Sequence, residues 1–358
     1  MCWIVSSSCG FGRFYTVGES EMNSHKVLVV GGAGYIGSHM VKELLGAGYG
    51  VITLDDLSKG HRDLLPGGEF VKGSLADART LDRIFTDNTI AAVMHFAAYS
   101  LVGESVVKPL EYYRNNTAGT MELLAAMVRH EVKRFIFSST AAVYGEPESV
   151  PITEDHPSRP TNPYGASKIA VERMLHDCDA AYGLKYTALR YFNAAGADES
   201  GTIGERHDPE THLIPLILKV ATGERDEVTI FGTDYATPDG TCLRDYVHVT
   251  DLAQAHLLAL EALLDGSESA VYNLGNSKGN SVREVIELAE KATGRTIPVV
   301  EAERRPGDPA VLVAASDAIR KDLGWKPRYE DLETIIRTAW AWHSKEAENS
   351  RLDCPVKS

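Results

Sequence analysis

Residues 26–30, KVLVV, form a short unbroken apolar run that ends on the glycine-rich stretch GGAGYIG. Similar runs return at 50–56 (GVITLDD), 90–98 (IAAVMHFAA) and 132–140 (VKRFIFSST). Between them, apolar residues recur at helical spacing in SHMVKELLGAG, which ends at Gly48, in LADARTLDRIFTD, and in KPLEYYRNNTAGTMELLAAMVRH, which reads as one long helix. Continuous apolar strands separated by helices predict βαβ units. They also predict an α/β fold with a doubly wound parallel sheet, covered on both faces and joined by right-handed crossovers.

TNPYGASKIAVERMLHDCDAAYG (161–183) predicts a further helix, with Asn162 as cap, Pro163 in the first turn and Gly183 as the stop. Beyond it the pattern is less regular. Helices are predicted at HLIPLILKVATG, at TDLAQAHLLALEALLDG with Thr250 as N-cap, and at SVREVIELAEKATG, where Ser281 and Glu284 have capping-box spacing. VTIFG and VYNLG read as short strands. The character of the chain changes near Asn193. A first domain over 25–192 and a smaller mixed α/β C-terminal domain over 193–343 follow, with some segments of the second returning to the first. Residues 1–24 read as a disordered tail, or as an upstream extension if translation starts at Met22, and 344–358 as a polar tail.

Composition narrows the partners. The formal net charge is −14 over 358 residues, which argues against general nucleic-acid binding. No apolar run reaches the ~18 residues a membrane span needs. Cys2, Cys9, Cys178, Cys242 and Cys354 are scattered, and neither CxxC nor HExxH occurs. This pattern predicts reduced thiols in a cytoplasmic protein and no metal.

The candidate chemistry begins at GGAGYIG. Glycines between a strand and a helix let the backbone approach a pyrophosphate, which the helix N-terminus stabilises. Asp55 ends the next strand at the spacing of a ribose-binding acid, which favours NAD over NADP. The first domain therefore predicts a Rossmann-like dinucleotide site. Tyr164 and Lys168 stand one turn apart on the 161–183 helix. A free phenol titrates near pH ~10, so service as a base near neutrality requires about 4 kcal/mol of phenolate stabilisation. A lysine ammonium and an oxidised nicotinamide, each at ~5 Å in an effective dielectric of ~20, supply about 3 kcal/mol apiece. Alone, Tyr-x-x-x-Lys is a common pair. The hydroxyl cluster in SSTAAVYG (138–145) is a second candidate for the reacting centre.

GGAGYIG, HFAA, SST and YGASK in that order resemble the extended short-chain dehydrogenase/reductase family. HFAAYSLVGESVVKPLEYYRNN, LRYFNAAGA, FGTDYATPDGTCLRDYVHV and RRPGDP are similar to stretches of its UDP-glucose 4-epimerases, and the likeness runs from Lys26 to Trp342. The resemblance implies interconversion of UDP-glucose and UDP-galactose through a transient 4-keto sugar with tightly bound NAD, by a homodimer paired through helices. Tyr164 would be the base, Lys168 its partner and a ligand of the nicotinamide ribose, and Thr140 the residue holding the sugar O4. Gly31, Gly34, Tyr35, Ile36, Asp55, Asp56 and Leu75 would line NAD, together with Phe96, Ala97, Ala98, Asn115, Ser138 and Tyr191. Asn193, His212, Leu213, Phe231, Arg244, Tyr246, Arg305 and Asp308 would hold the UDP-sugar. Val311 would fall where relatives gate N-acetylated UDP-hexosamines. Ser74, Ser100 and His212 depart from residues common in relatives. The 4,6-dehydratases of the family place an acid pair directly after the threonine, where this chain has Ala141 and Ala142. A glucuronate or pentose UDP-sugar 4-epimerase, a net dehydrogenase and an NAD-sensing regulator without activity are the competing readings.

Overall fold

The computed structural model describes residues 26–305 and 308–352, so the expected tail 1–24 lies outside the described residues. The chain opens with β1 (Lys26–Val30), α1 (Tyr35–Gly46), β2 (Gly50–Asp55), β3 (Glu69–Lys72), α2 (Ala78–Asp87) and β4 (Ile90–His95). Two short helices follow, α3 (Val102–Val107) and α4 (Pro109–Tyr112). They lead through a π-helical stretch, Tyr113–Ala118, into α5 (Gly119–Arg129). β5 (Arg134–Thr140), α6 (Pro163–Tyr182) and β6 (Lys185–Tyr191) complete the alternation.

The later elements are β7 (Asn193–Ala195), α7 (Leu213–Thr222), β8 (Val228–Phe231), β9 (Leu243–His248) and α8 (Val249–Leu264). Then come β10 (Ala270–Leu274), β11 (Gly279–Ser281), α9 (Val282–Thr293), β12 (Val299–Ala302) and β13 (Val311–Leu312). α10 (Asp317–Asp322) and α11 (Leu332–Leu352) close the chain.

The main sheet has seven strands in the order β3-β2-β1-β4-β5-β6-β10, every neighbouring pair parallel. The order reverses between β1 and β4, and ligands of such sheets bind at the strand C-termini beside that reversal. Leu28, Val30, Ile52 and Phe135 pack one face, and Val27, Val29, Met94 and Ile136 the other. This two-sided burial is why the strands lack a polar face. β10 belongs to this sheet, and α8 packs Leu252, Ala255 and Leu260 into the same core as Met40, Val41 and Leu44 of α1. A smaller lobe is built on β7, β9, β11 and β13, with β8 and β12 paired beside it. α7, α9 and α11 share its core through Ile217, Val285 and Ile336.

Three of the expected elements take a different form, and the strands β3, β6 and β9 are not among those the sequence predicts. The single helix expected through residues 108–130 is interrupted by the π-helical turns at 113–118. The widened turns bring the amide of Asn116 inside, where it accepts from Tyr99 N (2.8 Å) and donates to Tyr99 O (2.9 Å). The cap of α8 is His248, not Thr250: its Nδ1 accepts from Thr250 N (3.1 Å) while Nε2 is held by Thr338 Oγ1 (2.9 Å). The expected polar tail 344–358 is helical as far as Leu352. Its polar side chains find partners there: Lys345 donates to Gly201 O (3.1 Å), Glu346 pairs with Arg206 (2.6 Å), and Ala347 is buried.

Candidate active site

The glycine-rich turn forms because its glycines are sterically required. Gly31 has φ +81°, and a Cβ there would stand 2.3 Å from Ala97 N. A Cβ on Gly37 would stand 2.2 Å from Gly31 O. Gly34 caps α1 with no side-chain hydrogen bond, and the first turn carries no acid. The first N–H groups of α1 are thus available to an anion, with the positive end of the helix dipole behind them. Asp55, at the end of β2, accepts from Ala33 N (3.0 Å) and Leu57 N (2.9 Å), which fixes it beside the turn. Burial raises its carboxyl above the usual range. The donor set and the close backbone approach fit a dinucleotide such as NAD.

The other expected nucleotide residues lie at the same sheet edge. Asp56 follows Asp55 and accepts from Ser58 N (2.8 Å), and Phe96, Ala97 and Ala98 follow β4. Leu75 is buried against Gly119, and Asn115 lies in the π-helical stretch, donating to Asn116 Oδ1 (3.0 Å). Ile36 packs its side chain against the core. The Tyr35 ring points elsewhere: its hydroxyl donates to Gly196 O (2.6 Å), leaving the Tyr35 backbone at the start of α1.

The reacting groups converge where β5 meets α6. Asn162 Oδ1 accepts from Gly165 N (2.9 Å) and Gly183 ends the helix at φ 64°. A Cβ on Gly165 would stand 2.4 Å from Ala142 O, so glycine lets the helix press against the turn after Thr140. Thr140 Oγ1 accepts from Ala142 N (3.1 Å) at that turn. Lys168 Nζ donates to Ser138 O (2.8 Å), while Ser138 Oγ and Tyr191 Oη are 2.8 Å apart. Tyr164 and Lys168 are 7% and 3% exposed.

That burial revises the electrostatic balance drawn from the sequence. Desolvation raises the Tyr164 phenol well above its ordinary value, with Tyr191 adding to the rise and Thr140 opposing it. Desolvation lowers the Lys168 ammonium to about 7, against the pull of Glu172. The charged pair therefore starts from a harder position than a free phenol beside a free ammonium.

The expected substrate residues fall in three contacts. Asn193 and Tyr246 are register partners across β7 and β9, and Asn193 Nδ2 donates to Asp245 O (2.9 Å). Arg244 forms an ion pair with Asp308. The Arg305 guanidinium lies over the Phe231 ring, 3.8 Å from its centroid. Leu213 opens α7 and His212 caps it, but the His212 ring turns Nδ1 to Glu210 (2.8 Å) and Glu205 (3.0 Å) rather than to either arginine.

Sequence reasoning missed the supports of this centre. Arg190 Nε contacts Glu172 at 3.1 and 3.2 Å, and both side chains are buried. Glu172 also accepts from Ser139 (2.5 Å), and Tyr144 bridges Arg190 (2.9 Å) to Asn273 (2.6 Å). Tyr144 is thus a structural hydroxyl. Asp245, fully buried, accepts from the backbone of Asn276, Ser277 and Ala314 at 2.7–3.1 Å. The only signal for these residues in the sequence is a charge inside an apolar strand, as in YTALRY.

Residues 27–275 match the model of the NAD-dependent epimerase/dehydratase family. A UDP-glucose 4-epimerase of Halalkalibacterium halodurans is 56% identical over 319 residues, covering 89% of this chain and 96% of the relative. A solved UDP-glucose 4-epimerase superposes with a TM-score of 0.88 at 52% identity, covering 90% of this chain and 98% of the other. Another, from Brucella ovis in complex with NAD, has a TM-score of 0.87 at 48% identity, with 89% and 98% covered.

Proposed function

We infer that this chain, which belongs to the NAD-dependent epimerase/dehydratase family, interconverts UDP-glucose and UDP-galactose by inverting the sugar at C4. The observation that carries the reading is the centre itself. Tyr164 and Lys168 on α6 lie beside Thr140 at the end of β5, with Lys168 donating to Ser138 O, and the turn after Thr140 presents only Ala141 and Ala142. A dehydration needs an acid and a base there, and alanines supply neither.

When bound, NAD supplies a reversible hydride acceptor at the sugar C4. The glycine turn, the α1 N-terminus and Asp55 would hold it, and Lys168 would bind the nicotinamide ribose. Thr140 positions O4, and Tyr164 removes the 4-hydroxyl proton and later returns it. Burial opposes both charged forms, so a Tyr164 phenolate needs the Lys168 ammonium and the oxidised nicotinamide as counter-charges. Arg244 and Arg305 grip the diphosphate, Asp308 releasing Arg244 to accept from the ribose instead. The 4-keto sugar turns about its diphosphate linkage under that grip and presents its other face. The pathway served is galactose metabolism.

Val311 lies on β13 opposite Leu243 of β9, next to Arg244. A valine there is small enough to admit an N-acetyl group, which makes UDP-N-acetylhexosamines further proposed substrates. The test is a panel of UDP-glucose, UDP-N-acetylglucosamine, UDP-glucuronate and UDP-xylose. Turnover of the first two is expected; turnover of the last two without UDP-glucose would reassign the substrate, and rejection of the second alone would remove Val311 as a gate.

The protein acts as a homodimer. Val106, Val107 and Leu110 on α3 and α4 are 62%, 80% and 73% exposed, and Tyr113 and Met121 continue the apolar face along the same helical run. A second copy covers such a face with its own. Among the described residues no helix is long and apolar enough to cross a membrane, and Cys178 and Cys242 are unbridged. A cytoplasmic location fits both.

A further inference from the structure

We propose that Glu205, His207, Glu210 and His212 form a binding site for one divalent transition-metal ion of the zinc class. The four lie in the E-x-H-x-x-E-x-H stretch between β7 and α7, and one ligand atom from each falls within 4.8 Å of all the others. Glu205 Oε1 is 3.0 Å from the Nδ1 atoms of both histidines. Glu210 approaches His212 Nδ1 at 2.8 Å and His207 Nδ1 at 3.7 Å. Ligands ~2.0–2.1 Å from a tetrahedral zinc stand roughly 3.3 Å from each other, so small side-chain adjustments complete the shell.

The chemistry of the set selects the ion. Two imidazoles and two carboxylates suit a borderline divalent cation, whereas calcium and magnesium take oxygen ligands. Glu205 and Glu210 side chains are only 6% and 3% exposed. Among the described residues their ion-pair partners are these two histidines, with no lysine or arginine. Buried carboxylates require pairing or a metal. The two rings have centroids 5.1 Å apart and turn the same nitrogen to the same carboxylates. One divalent ion at that common point satisfies all four ligand atoms and cancels both carboxylate charges. The His212 side chain is 43% exposed, which leaves a path in.

The outer contacts indicate a structural role. Trp342 of α11 donates to Glu205 O (3.0 Å), and the Tyr35 ring of α1 meets His207 edge-on at 6.2 Å. His212 caps α7. An ion here would tie the start of the nucleotide-binding helix, the C-terminal helix and the first helix of the smaller lobe into one joint.

The test uses the full chain, purified without a metal-chelating resin. Elemental analysis should find about one metal ion per chain, and the chelator-stripped protein should bind cobalt(II). The cobalt form should show visible bands of a four-coordinate N/O site without a thiolate charge-transfer band, which would mark one of the chain's five cysteines instead. His207→Ala and Glu210→Gln should each weaken binding at least about tenfold, as losses around metal sites do. Should His207→Ala fail to fold, Glu210→Gln decides alone. Absence of metal together with no cobalt band, a thiolate band, or unchanged affinity in the variants would overturn the site and leave the cluster an internal ion-pair network.

Discussion

The Glu172–Arg190 pair beneath the reacting residues is open to a direct energetic test. Glu172→Gln keeps an acceptor for Ser139 but leaves the Arg190 guanidinium buried without its counter-charge. Arg190→Met does the converse. Removing one partner of a buried pair costs about 3–5 kcal/mol, a large share of the ~5–15 kcal/mol by which domains are stable. The pair's desolvation penalty falls away when both charges go. The double variant should therefore lose only about 1–3 kcal/mol, mainly from hydrogen bonds left unmade at Tyr144 and around the substituted amide. Urea unfolding followed by tryptophan fluorescence measures all three, and the coupling should be about 3 kcal/mol or more. Arg190 faces Ser139 in the β5–β6 register and Tyr191 faces Thr140, so kcat should fall with the single losses even in the folded fraction. A single-variant loss below about 1 kcal/mol, or losses that add to within ~0.5 kcal/mol, would refute the buried network.

Tyr164→Phe should lower kcat by about 10²–10⁴-fold with NAD retained and KM little changed, since the phenol acts on the transition state. Near-full activity in steady-state assays would remove Tyr164 as the base. Burial raises the Asp245 carboxyl to about 7 against its three N–H donors, the folded state holding its proton to higher pH than the unfolded chain does. Its stabilisation is therefore present below about pH 4 and lost as pH rises to about 7. Asp245→Asn should flatten that part of the stability–pH curve, and an unchanged slope would contradict the assignment. Leu110→Glu should convert the dimer to monomer in sedimentation at micromolar protein; an unaltered dimer would place the interface elsewhere.

Much of this architecture is legible in the chain because period and punctuation agree. KVLVV, GVITLDD and IAAVMHF lack a polar face because both faces of the sheet are covered, and the Asn162, Gly183 and Ser281–Glu284 signals mark helix ends as their chemistry requires. The π-helical turns at 113–118 escape a periodic reading because one extra residue per turn leaves composition unchanged. Thr250 has the residue type of a cap, but the ring of His248, turned by Thr338, accepts from the Thr250 N–H. Residues 344–352 read as unpartnered because Arg206, Gly201 and Thr222 are distant in sequence. The same distance hides Arg190 from Glu172, whereas the Tyr164–Lys168 spacing is local. Burial, which moves both groups of that local pair against their charged forms, emerges only from the assembled fold.

The proposed reaction is a reversible C4 oxidation on a cofactor that stays bound through turnover. Purified, extensively dialysed protein should convert UDP-galactose to UDP-glucose with no NAD added, approaching the same mixture from either sugar, and with no free NADH accumulating. Net NADH release with UDP-glucose, or failure to interconvert the two sugars even with NAD supplied, would contradict it.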